Sequence, residues 1–123
     1  MALALDVMDR PWKWGEADCV LSACDVFHRL YGIDPARGFR GTYGSALQAA
    51  RVIRRMGGPE SAAEAVAASC GLAAGKGAPG ELGLIPVSGC RMMLTICVAP
   101  RQWAGKTETG MTTLPEVVRC WRA

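Results

Sequence analysis

Histidine is nearly missing from this sequence: His28 is the only one in 123 residues. Any chemistry that needs an imidazole must run through that one side chain. The six cysteines, at 19, 24, 70, 90, 97 and 120, include no pair two residues apart. With one histidine and no clustered thiols, neither a tetrahedral metal site nor a cofactor is expected. No apolar run approaches the ~18 residues of a membrane span, so no membrane segment is expected. Residues 1–8 lack the basic start and the apolar stretch of a signal peptide. Folding in a reducing cytoplasm with free thiols is therefore the expectation. Charge is modest, with a net +3. The basic residues do not form a stripe interleaved with aromatics, so nucleic-acid binding is not expected.

What the chain does contain is an ordinary globular balance, with 50% hydrophobic and 20% charged residues. Fifteen glycines and seven prolines favour a loop-rich α+β fold over a helical bundle. The length suits one domain, 1–123. It divides into an arm at 1–11, a helical part at 12–72 and a sheet part at 79–123. The arm reads as extended chain or one weak helical turn. Asp18 is a good N-cap for a helix over 19–30, with Gly32 as its C-cap. Val20, Cys24, Phe27 and Tyr31 fall at helical spacing, and Asp25, His28 and Arg29 make the wet face. Ser45 caps a second helix over 46–56, ended by Gly57, Gly58 and Pro59. Ser61 and Glu64 have capping-box spacing for a third helix running to about residue 70. Strands follow at 81–87 and 91–99. Weaker strands follow at 100–103 and 107–113, divided by a turn at 104–106, and an ending at 117–122. Helices first and a small antiparallel sheet second argue for segregated α+β layers.

One short segment carries possible chemistry. A thiol at a helix N-terminus faces unpaired backbone N–H groups and the positive end of the helix dipole. Both favour thiolate, the attacking form, so a lowered pKa is expected for Cys19. The run Trp12-Lys13-Trp14-Gly15-Glu16-Ala17-Asp18-Cys19 resembles the W-x-W-G-x-x-D-C start of NlpC/P60-type cell-wall peptidases. It is similar to a small phage and prophage branch, of uncharacterised function, that accompanies tail genes. Pro79-Gly80-Glu81 matches the branch's strand start, and Thr95-Ile96-Cys97-Val98 its later strand. Gly110 to Pro115 and the ending Arg119-Cys120-Trp121-Arg122 also fit. The resemblance implies a papain-like fold with Cys19 in the nucleophile's place. Trp12, Trp14 and Asp18 then either line a binding groove or serve the structure.

The sequence departs from the active pattern at the base. In active members a histidine opens the second strand, and here that position falls near Met93, within one or two residues. Arg91, Met92 and Leu94 are not histidine either. His28 follows Cys19 by nine residues, which on a helix means the opposite side and about 13 Å along the axis. For a third polar group only Thr95 or Ser88 is at hand. Loss of a general acid–base costs about 10²–10⁴-fold per role. The resemblance therefore implies a tail-tip or baseplate structural component of a phage or phage-like particle, built on a degenerate cysteine-peptidase fold. Its partners would be other tail-tip, baseplate or hub proteins, and its place the virion tail, assembled in the host cytoplasm. The alternative is an active cysteine peptidase that cleaves peptidoglycan while the particle penetrates the cell, with Cys19 as nucleophile and a base supplied from elsewhere. Arg51, Arg54 and Arg55 read as a solvated helix face or as a contact for an acidic partner subunit. Met92 and Met93 read most simply as core.

Overall fold

The computed structural model describes all residues, 1–123. Four helices come first: α1 (Ala2–Met8), α2 (Cys19–Tyr31), α3 (Ala46–Arg55) and α4 (Pro59–Ser69). Six strands follow: β1 (Ala73–Ala74), β2 (Leu82–Val87), β3 (Arg91–Ala99), β4 (Gln102–Thr107), β5 (Gly110–Leu114) and β6 (Arg119–Arg122). They form one sheet in the order β1-β6-β2-β3-β4-β5, with every pairing antiparallel. The expected α+β order, helices before sheet, is the observed one.

The core lies between α2 and one face of the sheet. Leu21, Cys24 and Phe27 of α2 meet Leu82, Leu84, Leu94, Ile96 and Trp121, and Ala63 and Ala67 of α4 join the same cluster. One core thus draws on the helical and the sheet parts alike. The opposite face carries its own layer. Trp103 is buried there and lies across Gly83, where an added Cβ would meet the indole carbon Cε3 at 2.7 Å and Val117 Cγ1 at the same distance. The chain leaving β5 must pass β4, β3 and β2 to reach β6, and Val117 belongs to that crossing segment.

Three expectations need correction. Residues 1–11 are not simply an arm, because Ala2–Met8 form a helix whose Ala4, Val7 and Met8 are fully buried. Those residues fall at i, i+3 and i+4, a core-facing stripe. The helix has no side-chain cap, and Lys106 of β4 helps hold it. The buried Lys106 ammonium donates to Met8 O at 2.6 Å and to Arg10 O, satisfying carbonyls at the helix end. Burial, and then the nearby Arg10 charge, hold the Lys106 pKa below its ordinary value. The turn expected at 104–106 does not exist: β4 runs straight through it and the turn falls at 108–109. Gly105 is there for space, since Met93 Sδ stands 2.7 Å from where its Cβ would be. Finally, α4 begins at Pro59, with Gly58 as N-cap, two residues before Ser61. Proline at the first helical position loses only an N–H that has no partner anyway.

Candidate functional site

Residues 12–18 form a tight loop that delivers Cys19 to the start of α2. Lys13 and Ala17 exchange backbone hydrogen bonds, Lys13 N to Ala17 O at 3.2 Å and Ala17 N to Lys13 O at 2.8 Å. Gly15 sits at φ +81, and a Cβ there would run into the Tyr43 carbonyl oxygen. Only glycine serves both demands. Trp12 and Trp14 pack edge to face, their ring centroids 5.0 Å apart.

Asp18 is the hub of this region and is 1% exposed. Its Oδ1 accepts from Val20 N at 3.1 Å and Leu21 N at 2.9 Å, which caps the helix. Its Oδ2 accepts from Gly15 N at 2.9 Å and from the Tyr43 hydroxyl at 2.6 Å. Four donors from three chain segments thus occupy one carboxylate. Asp18 is committed to the fold and has no oxygen spare for a ligand. No motif or spacing in the sequence points to Tyr43. Burial first, and then the Asp18 charge, push its phenol above the ordinary value.

Cys19 Sγ donates to Met92 O at 3.4 Å. The expectation of a lowered thiol pKa is reversed: it rises from 9.0 to about 12. Burial is the largest cause and the adjacent Asp18 charge the second, while the N–H groups of Val20, Cys19 and Leu94 pull the other way. The second cause is local. The capping carboxylate takes the Val20 and Leu21 N–H groups and sets a negative charge beside the sulfur. A helix start that should welcome thiolate is already neutralised by its own cap.

The start of β3 does stand against the sulfur, as the motif order implied. The residue that meets it is Met92, one position before Met93. Met92 shares the cavity wall with Cys19, whereas Met93 also reaches Gly105. His28 is exposed near the far end of α2, so no imidazole reaches the thiol. Thr95 is fully buried and donates to Gly83 O at 3.1 Å, and Ser88 is exposed in the β2–β3 turn. Neither orients a base.

Beside Cys19 lies a cavity of about 210 Å³, walled by Trp14, Tyr43, Val52, Ile53, Val66 and Met92 among others. Only Asp18, Arg91 and Glu108 of its lining are charged. The Trp12 indole N–H is buried nearby without a partner. The six cysteines are unpaired, and no cluster of three metal-ligating side chains occurs. The arrangement is a protonated thiol in an apolar wall.

Residues 2–123 match the family described as Domain of unknown function (DUF6950). The chain belongs to that family. Neither a curated protein nor a solved structure matches it. No helix is long and apolar enough to cross a membrane.

Proposed function

We propose that this chain is a structural component of a phage-type tail tip or baseplate, built on a degenerate papain-like, NlpC/P60-type cysteine-peptidase fold. One observation carries the loss of activity. Cys19 occupies the nucleophile's place in the motif, yet its thiol is protonated, bonded to Met92 O and held in an apolar wall with no imidazole in reach. A cysteine nucleophile needs a base that takes its proton and a third group that orients the base. Here Asp18, the nearest carboxylate in the chain, works against ionisation. The tail setting and partners such as hub or baseplate proteins rest on the resemblance of residues 12–19 and of the later strands.

Two measurements test the reading. Purified protein incubated with peptidoglycan should release no muropeptides. Release that disappears in Cys19→Ala would establish the competing reading, a working peptidase whose base comes from a neighbouring subunit. Particles assembled with the Cys19→Ala chain should form and infect normally. Mass spectrometry of purified particles should find the chain among the tail proteins, and its absence from them would refute the structural role.

A further inference from the structure

Helix α3 presents two unlike faces. Ala49, Val52, Ile53 and Met56 look into the cavity. The opposite face carries Leu47, Arg51, Arg54 and Arg55. At about 100° per residue these four fall within roughly 100° of one another. Leu47 is 62% exposed, the highest among the exposed large hydrophobic residues. Arg51 and Arg54 follow it at i+4 and i+7, so they flank it along one stripe.

These arginines differ from most others in the chain. Arg10, Arg29, Arg40, Arg101 and Arg119 each pair with a carboxylate, whereas Arg51, Arg54 and Arg55 pair with none. Glu64 on the neighbouring α4 is taken by Arg119 at 2.6 Å. Arg54 and Arg55 gain something from the helix C-terminus. Arg51 lies earlier and faces like charges at i+3 and i+4, which repel it. Unpaired guanidiniums beside an exposed leucine suit a protein interface, since arginine is enriched there over the rest of the surface and the leucine offers apolar area to bury. A membrane would take the apolar face of such a helix, and that face is turned inward. A nucleic acid would use the charges and leave Leu47 unburied.

We propose that the outward face of α3 docks an acidic protein surface. Leu47 is its apolar anchor, and Arg51, Arg54 and Arg55 pair with the partner's carboxylates. The proposal stands on α3 alone and does not depend on the Cys19 site or on the tail reading.

A fluorescein-labelled helical peptide with leucines on one face flanked by glutamates serves as the probe. It is titrated by anisotropy at low and at physiological salt, and its footprint is mapped by backbone amide shifts. Binding should move the α3 amides and weaken with salt. R51E/R54E/R55E should lower affinity by about tenfold or more, and Leu47→Ser by about three- to tenfold. All four positions are exposed, so circular dichroism at the assay temperature should match the parent, with Tm lowered by a few degrees at most where glutamates replace Arg54 and Arg55 at the helix C-terminus. The proposal is overturned if the peptide does not bind, or if a scrambled peptide of the same composition binds as well. Tighter binding to duplex DNA or to anionic phosphatidylglycerol vesicles overturns it too.

Discussion

Alkylation of Cys19 offers the sharpest test of the site. Raising the thiol pKa from 9.0 to about 12 lowers the thiolate fraction at any pH below 9 by about 10³. A more basic thiolate is also a better nucleophile, with a Brønsted slope of about 0.4–0.5, which returns roughly 20-fold. Chemistry alone should thus slow the native thiol about 50-fold relative to the same residue in the unfolded chain, and restricted access slows it further. The assay is iodoacetamide labelling, quenched over time and resolved by site with mass spectrometry, in buffer and in urea. The native rate at Cys19 should climb tenfold per pH unit up to about pH 10 without a plateau. A working thiolate–imidazolium pair, with a cysteine pKa of about 3.5–7.5, would instead level off near neutrality. If native Cys19 reacts as fast as unfolded Cys19, or reaches a plateau below about pH 8, then burial and the Asp18 charge do not govern this thiol and the degenerate-site argument is refuted.

Other consequences follow from the same geometry. Asp18→Ala removes the helix cap, about 1 kcal/mol, and strands the Gly15 N–H and the Tyr43 hydroxyl at about 1–3 kcal/mol each. Urea unfolding should show a loss of about 3–7 kcal/mol, and a loss below about 1 would contradict the hub role. Gly15→Ala meets a left-handed φ and the Tyr43 carbonyl together, so it should cost on the order of 3 kcal/mol or more in the same assay. Stability should fall on the alkaline side, because Cys19 and the fully buried Cys24 hold their protons more tightly folded than unfolded. Their contribution is complete below pH 9 and declines above it, by about 1.4 kcal/mol per thiol at pH 10; the double serine variant should flatten that decline. Met92→His places an imidazole on the wall that Cys19 shares, and iodoacetamide labelling of Cys19 near neutral pH should accelerate at least about tenfold.

Much of the fold was legible because local signals agreed with packing. The Asp18 and Gly32 caps bound α2 as expected, and the strands expected at 81–87 and 91–99 are β2 and β3. The failures share a cause, namely residues whose role is set by a distant partner. α1 has no cap to announce it, and its end is held by a lysine about a hundred residues away. Gly105 has the look of a turn residue, yet its missing Cβ makes room for Met93 on a neighbouring strand. At the site, the motif located Cys19 and Asp18 and placed the start of β3 nearby. It could not show that Tyr43 and Gly15 consume the second Asp18 oxygen. Nor could the helix-dipole argument weigh burial, which decides the sign of the Cys19 shift.

That sign raises the question of what the thiol contributes if it does not attack. β3 pairs with β4 only at Ile96, Cys97 and Ala99, so Met92 lies on a stretch of β3 that β4 does not accompany. The Met92 carbonyl therefore has no β4 partner, and it accepts from the Cys19 S–H instead. The Leu94 backbone faces the same sulfur. Cys19 thus fastens the first turn of α2 to the uncovered part of β3, small enough for the apolar wall and able to offer a proton. Asp18 opposes thiolate and so helps keep that proton in place. Asp18 caps the helix that Cys19 opens, and together they hold the start of α2 against the sheet.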